Sequence, residues 1–213
     1  MALCSVILNW YFKETTATIY MYRDAKQPSE TAQGQQKLDI QQALDRAVQH
    51  HNDGQLERAE TLYQKVLEAD GKHPVALHLL GLLAHQGGNN AVAIDLITQA
   101  IAIQPQYAEA QNNLGTVYQD TGRLETAVAH YQKALAIQSD YVDAHYNLAR
   151  AFKELGEINQ SISCYQMALS IQPGHVRAQN NLGNIFKDLG QLGDAAACFR
   201  KSMSLDSNCA ETH

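Results

Sequence analysis

The sequence contains few of the residues that cross-link a chain, bind metals through sulfur or interrupt helices. Its 213 residues include four cysteines and four prolines. There is no CxxC pair, and no histidine lies at metal-ligand spacing from a cysteine, which argues against both a zinc site and a disulfide framework. We therefore expect free thiols, buried or half-buried, in a reducing compartment, and we predict a cytoplasmic protein.

Positive charge is also scarce. The chain has 16 Lys and Arg against 22 Asp and Glu, a net charge of −6. This balance argues against a nucleic-acid-binding protein, which should carry a basic footprint, and more weakly against an anionic membrane surface. Hydrophobic residues make up 45% and charged residues 18%, which is typical of a soluble globular chain and too apolar for a disordered one.

No long hydrophobic run and no catalytic constellation is found. Residues 1–12 are uncharged, but they are too few to cross a bilayer as a helix, which needs about 20 residues, and they lack the basic start of a signal peptide. The composition of residues 1–39 predicts a poorly ordered leader and a polar linker. The alternatives are that the true start of the protein is Met21 or that the segment is a membrane anchor. Without a phosphate loop, a nucleophile–base pair or paired carboxylates, we expect neither enzymatic activity in this chain alone nor a cofactor or bound metal.

What the sequence does contain is an internal repeat. Five glycines recur at one constant interval: Gly54, Gly88, Gly122, Gly156 and Gly190. They divide the chain into five blocks, which are 40–73, 74–107, 108–141, 142–175 and 176–209. Residues 210–213 restart the motif as a truncated sixth block. A fixed period of roughly 34 residues is typical of stacked repeat units.

Each block has the pattern of two helices joined by a turn. In block 108–141, Leu114, Gly115 and Tyr118 form a small or apolar stripe on a first helix, and the letters DTGR end it. The second helix carries a small, an aromatic and a small residue at i, i+4 and i+7, here Ala127, Tyr131 and Ala134. The small residues permit close helix approach, and each aromatic fills the space that they leave.

These blocks resemble the tetratricopeptide repeat (TPR) family over about 170 of the 213 residues. The resemblance implies an all-α solenoid of stacked antiparallel helix pairs, forming a right-handed superhelix whose first helices line a concave groove. The first block departs most from the pattern, with Arg46 and His50 where Leu and an aromatic are usual, and Gly71 where Pro is usual. We therefore expect less regular packing in that block.

Asn recurs at the sixth position of three blocks, as Asn113, Asn147 and Asn181. On a helix this position points away from the packing stripe, and Asn is a poor helix former, so stability alone does not explain it. An amide offers two donors and an acceptor, so a column of amides could bond the backbone of an extended peptide. Hydrogen bonding between repeats and inheritance from recent duplication are the alternatives.

We predict that the groove binds peptide segments of other proteins. The other candidate binding residues also lie on the predicted first helices of their blocks: Asn112, Asn180, Asn184, Arg150, Lys153, Arg177 and Lys187. The asparagine column also resembles the TPR region of the O-linked N-acetylglucosamine transferases and the SPINDLY-type glycosyltransferases, where such residues hold acceptor polypeptides. The alternative function is therefore the acceptor-binding arm of such an enzyme, whose catalytic domain is absent from this chain.

Two other ligand sites are less favoured. The carboxylate clamp of chaperone-binding TPR proteins needs a lysine and a final arginine that are missing here, and Arg177 alone can supply one cation. Three histidines, His51, His78 and His85, could approach one another on the groove and bind a metal, but solvated or hydrogen-bonded histidines are the favoured interpretation. The recurring acids Asp120, Glu154 and Asp188 could select basic ligands or be solvated helix ends.

The last block predicts an uncapped end. Four residues of its second helix should be partly bare without a following helix: Ala195, Cys198, Phe199 and Met203. Natural arrays close such a flank with a polar-faced capping helix. We therefore expect either that the chain is a fragment of a longer protein or that self-association covers this face.

Overall fold

The computed structural model describes residues 30–210, and side chains from residue 34 to residue 205. Within this range the chain forms ten α-helices and no strand. The helices are α1 (Glu30–Asn52), α2 (Leu56–Ala69), α3 (Pro74–Gln86), α4 (Asn90–Ile103), α5 (Ala108–Asp120), α6 (Leu124–Ile137), α7 (Val142–Glu154), α8 (Ile158–Ile171), α9 (Val176–Asp188) and α10 (Leu192–Ala210). Most of the predicted leader and all but the first residue of the truncated sixth block lie outside the described residues.

The helices stack as antiparallel pairs. Each odd-numbered helix packs most extensively on the even-numbered helix that follows it, and each even-numbered helix then packs on the first helix of the next pair. The first helices α3, α5, α7 and α9 begin at Pro74, Ala108, Val142 and Val176, the first residues of four predicted blocks. The predicted all-α solenoid is confirmed.

The start of α1 corrects one expectation. The composition of residues 30–39 predicts a polar linker, but the helix begins at Glu30 and runs for 23 residues. The segment has no proline after Pro28, and it is rich in Gln, a good helix former. A side-chain hydrogen bond from Gln35 to Asp39, 3.0 Å long, joins positions one turn apart. Local helix propensity therefore extends α1 beyond the residues that pack on α2.

The recurring glycines end the first helix of each pair. All five have a positive φ, between 73° and 80°, a backbone conformation that a side chain disfavours. At Gly122 the backbone N–H donates to the carbonyl of Gln119, and the next N–H, of Arg123, donates to Tyr118. This pair of bonds is a Schellman motif, which satisfies the last carbonyls of a helix. The constant glycine period is therefore a requirement of the backbone.

The core lies between the two helices of each pair and continues between each second helix and the first helix of the next pair. Tyr63, Tyr131 and Tyr165 are at most 1% exposed, and buried alanines belong to the same core clusters as each of them. A Cβ on Gly115 would lie 2.7 Å from Cε1 of Tyr131, and a Cβ on Gly183 would lie 2.9 Å from the Phe199 ring. The predicted pairing of a small residue with an aromatic therefore sets how closely the helices approach.

The two ends of the array pack differently from expectation. In the first block Leu44 and Ala47 are buried against Tyr63, while the atypical Arg46 is exposed, so the first pair forms a core, which it shares with Ala76 and Leu83 of α3. In the last block, the pattern predicts that Ala195 and Cys198 are partly bare, but they are 3% and 7% exposed. The reason is that they face α9 of their own pair.

The remaining predicted flank residues of α10 differ from each other. Phe199 is half-buried against Gly183, whereas Met203 is 63% exposed. Leu192, at the start of the same helix, is 67% exposed. The large apolar residues that α10 leaves exposed are therefore at its start and in its fourth turn.

Candidate peptide-binding surface

The first helices form one side of the solenoid. Helix α3 contacts α5, and α5 contacts α7, in addition to their contacts with second helices. Since neighbouring first helices approach one another directly, they stand on the inner side of the curve. We call the surface formed by α3, α5, α7 and α9 the inner surface.

Hydrogen bonds cross this surface from each repeat to the next at a constant sequence separation. Each joins the sixth position of one block to the fifth position of the block before it. The three bonds are Asn113 Nδ2 to His78 Nε2 (2.8 Å), Asn147 Nδ2 to Asn112 Oδ1 (3.1 Å) and Asn181 Nδ2 to the Tyr146 hydroxyl (3.2 Å). The asparagines therefore bond between repeats, which was the alternative to direct peptide binding.

His78 anchors the first of these bonds. Its ring is 2% exposed, and burial lowers its pKa to about 4, so the imidazole is neutral at pH 7. The Asn113 amide nitrogen can only donate, so Nε2 accepts and Nδ1 carries the proton. Nδ1 lies 2.9 Å from the Tyr107 hydroxyl, to which it donates. Burial, with a smaller effect of Glu109, raises the pKa of Tyr107 to about 12, so this hydroxyl stays protonated.

The same bonds orient the other two amides. Asn181 Nδ2 also contacts the hydroxyl of the buried Tyr165, at 3.1 Å, so both of its N–H groups have partners. Asn147 points its nitrogen at Asn112. Among the described residues, no donor reaches the side-chain oxygen of Asn147 or Asn181. Both side chains are half-buried, and their acceptor oxygens are left for a ligand.

A second set of bonds joins the ends of the first helices, with the same separation along the chain. The pairs are Gln86 with His51 (3.3 Å), His85 with Asp120 (3.1 Å) and Gln119 with Glu154 (2.6 Å). Two of the three acids predicted to recur before the turn therefore accept hydrogen bonds from the preceding repeat. The third, Asp188, is exposed.

The cations of the inner surface are concentrated at one end. Helices α3 and α5 contain no Lys or Arg, whereas α7 and α9 contain all four of the predicted cations: Arg150, Lys153, Arg177 and Lys187. Arg150 is half-buried and lies 3.9 Å from Glu154, and the Arg177 guanidinium carbon lies 5.6 Å from the centre of the Tyr146 ring. Lys153 and Lys187 are exposed. This end offers cationic groups to a ligand.

The other predicted amides have different environments. Asn112 is 4% exposed, and its two polar atoms bond Asn113 and Asn147, so it supports the column from within. It is therefore unsuited to a carboxylate clamp. Asn180 and Asn184 on α9 are half-buried, and neither makes a side-chain hydrogen bond to another described residue. These two amides are the most available to a bound peptide.

Two residues of the surface were missed by the sequence interpretation. Tyr146 accepts from Asn181, its ring stacks on His175 with centroids 5.0 Å apart, and Arg177 lies over it. His78 was considered only as a metal ligand. Both stand at the fifth position of their block, and each lies 35 residues before an asparagine of the column. This spacing is the signal that could have identified them.

The three histidines considered for a metal are not gathered at one point. His51 bonds Gln86, His78 bonds Tyr107 and Asn113, and His85 bonds Asn90 and Asp120. Within the described part of the chain, no three His, Cys, Asp or Glu side chains come together in a way that could hold a metal ion. The same part contains no helix whose length and apolar character would let it cross a membrane.

Family models match the repeats in sequence as well as in geometry. Three models described as tetratricopeptide repeat match residues 44–108, 106–174 and 176–209, which together are most of the chain. The chain belongs to the tetratricopeptide repeat family. A TPR array is a protein-interaction module, and that is the general role of this chain. No curated protein matches it.

Solved structures with the same fold are numerous. The crystal structure of MamA is 27% identical, with 78% of this chain and 96% of that one covered and a TM-score of 0.69. PilF of Pseudomonas aeruginosa is 15% identical, with 79% and 77% covered and a TM-score of 0.76. YrrB, described as a TPR protein with an unusual peptide-binding site, is 20% identical, with 76% and 84% covered and a TM-score of 0.60. The last two, at these identities, show the fold alone.

Proposed function

We propose that this TPR module binds extended peptide segments along its inner surface, from the asparagine column of α5, α7 and α9 to the cations of α7 and α9. The observation that carries the proposal is the fixed orientation of the amides. Their nitrogens are held by the neighbouring repeat, so Asn147 and Asn181 present acceptor oxygens that no described residue uses. A peptide backbone N–H is the donor that fits them, whatever the peptide's side chains are.

The charge of the surface selects the kind of peptide. Arg150, Lys153, Arg177 and Lys187 all belong to α7 and α9, so acidic side chains of the ligand should lie at this end. Exposed ion pairs contribute little affinity, but they determine orientation and association rate. The Tyr146 ring, between His175 and Arg177, adds an aromatic surface at the same end. We therefore infer a preference for extended, acidic segments.

The test uses residues whose side chains make no hydrogen bond to another described residue. Peptides selected from a random phage-displayed library on the wild-type protein would be labelled, and their dissociation constants measured by fluorescence anisotropy. Asn180→Ala and Asn184→Ala should each raise the dissociation constant about 2- to 13-fold, the loss of one hydrogen bond worth ~0.5–1.5 kcal/mol. Gln166→Ala, on the exposed side of α8, is the matched control and should change nothing.

The charge preference has its own test. The double substitution Lys153→Gln and Lys187→Gln should weaken acidic peptides most at low salt and leave neutral peptides unaffected, because both lysines are exposed. If the selected peptides are unaffected by every α7 and α9 substitution, or if Gln166→Ala weakens them equally, the inner surface is not the binding site.

We also infer three finer assignments from the sequence alone. The resemblance of the asparagine column to the glycosyltransferase TPR regions makes the acceptor-binding arm the alternative function, and the coding sequence downstream tests it: an in-frame glycosyltransferase domain would favour the arm. Cytoplasmic localisation and self-association through α10 stay predictions. Subcellular fractionation tests the first, and sedimentation over a range of concentrations tests the second.

A further inference from the structure

A groove of about 610 Å³ lies between the second helices α2 and α4, with α3 at its floor. Its apolar lining includes Leu56, Leu83 and Val92, and two of these side chains, Leu56 and Val92, are 41% and 42% exposed. The volume falls in the range of roughly 300–1,000 Å³ that ligand pockets have. We call this groove the outer pocket.

The repeat register explains why the groove exists. Three of its lining residues, Ala84, Asn89 and Leu96, are the counterparts, one repeat earlier, of Tyr118, Arg123 and His130. In that later repeat the Tyr118 ring stacks on His130 with centroids 5.3 Å apart. The Arg123 guanidinium carbon lies 4.6 Å from the centre of the Tyr118 ring.

Aromatic rings stand at this position in the two following repeats as well, as Phe152 and Phe186, both half-buried. Ala84 thus breaks the series, and the outer pocket is the space that an aromatic side chain would fill. The ring is missing at Ala84, and Asn89 and Leu96 line the space where Arg123 and His130 contact the ring in the later repeat.

The rim of the outer pocket is acidic. Glu57 and Glu60 on α2 line it, and both are exposed. Among the described residues that line it, none is Lys or Arg. An apolar floor with carboxylates on one side is complementary to an aromatic side chain next to a cation.

We propose that the outer pocket binds a partner segment that inserts one aromatic side chain, flanked by Lys or Arg, between α2 and α4. The aromatic ring takes the place that Tyr118 occupies in its own repeat, and the flanking cations meet Glu57 and Glu60. The lining of the outer pocket includes none of the asparagines or cations proposed to bind peptides on the inner surface, so the two tests are independent.

The probe is the peptide amide Lys-Trp-Lys, titrated into the full chain with methyl groups labelled for NMR. We expect saturable shifts at the methyl groups of Leu56, Val92 and Leu96. A matched peptide with alanine in place of tryptophan should give none. Ala84→Tyr restores the missing ring and should weaken binding at least tenfold, whereas Ala84→Ser keeps the space and should leave it unchanged.

The charge and the occupant are tested in the same experiment. Glu57→Gln with Glu60→Gln should weaken the peptide several-fold at low salt. The proposal is overturned if the shifts do not saturate, if they persist in Ala84→Tyr, or if they lie on the inner surface. Methyl shifts that change with protein concentration alone would assign the pocket to a second copy. Nuclear Overhauser contacts from the indole of Trp10 would assign it to this chain, and either result would refute an external partner.

Discussion

Acidification should destabilise the solenoid through His78, which holds the first bond of the asparagine column. The imidazole is buried, and its pKa is lowered from 6.5 to about 4 in the folded protein. Between these values the unfolded chain binds the proton and the folded chain does not. The contribution of His78 to stability is therefore complete above about pH 6.5 and is lost as the pH falls toward about 4.

The size of the effect follows from the shift. At pH 5 protonation of His78 favours the unfolded state over the folded state by a factor of about 30. This factor corresponds to a loss of about 2 kcal/mol in the free energy of unfolding relative to pH 7.5. No discount for solvent is needed because the side chain is 2% exposed. In a domain whose total stability is typically ~5–15 kcal/mol, a loss of this size is readily measured.

The perturbation is His78→Gln, whose amide can donate to Tyr107 and accept from Asn113 but does not titrate. Urea unfolding of both proteins would be followed by circular dichroism at pH 7.5 and pH 5.0, with hydrogen exchange of α3 amides as a local measure. Carboxylates and other histidines titrate equally in both proteins, so their contributions cancel in the comparison. Between the two pH values, the variant should lose about 2 kcal/mol less than wild type, because the proton-linked loss at His78 is removed. Losses that agree within about 0.5 kcal/mol, the usual scatter of such differences, would refute the assignment of a neutral, buried His78.

Three further predictions concern packing, hydrogen bonding and thiol chemistry. Gly115→Ala should lower the free energy of unfolding by about 1–2 kcal/mol, because its Cβ would meet the buried Tyr131 ring at 2.7 Å. Gly193→Ala has no atom within 4 Å of its Cβ, so it should raise the free energy of unfolding by up to about 1 kcal/mol. Equal effects of the two variants in urea titrations would contradict the tight helix contact. Asn181→Ala should destabilise by about 0.5–1.5 kcal/mol despite the better helix propensity of Ala, and a variant as stable as wild type would mean that its bonds to the two tyrosine hydroxyls contribute nothing. Burial raises the pKa of the Cys164 thiol to about 11, so iodoacetamide at pH 7.5 should alkylate it at least tenfold more slowly in the folded protein than in urea, as followed by mass spectrometry; similar rates would show that the thiol is accessible.

The sequence alone determined the repeat and its period, because each requirement is local. Gly122 is needed for a left-handed backbone at the end of a helix, and the spacing of small and aromatic residues around Tyr131 is set by the helical period. The position of the asparagines on the inner side was also accessible from this period. The helical start of α1 was missed because residues 30–39 lack the apolar period, although their Gln-rich, proline-free composition favours a helix.

Only the tertiary structure decided what these asparagines bond and where space remains. Asn113 and Asn147 reach their partners because stacking brings the sixth position of one block to within hydrogen-bond distance of the fifth position of the block before, and that distance depends on how closely the helix pairs stack. The outer pocket likewise needs α2, α3 and α4 in place around Ala84, since a missing ring leaves a groove only where neighbouring helices keep their spacing. The sequence period specifies which residues share a helix face. Hydrogen-bond partners and cavities depend on the distances between helices, and the period does not determine these distances.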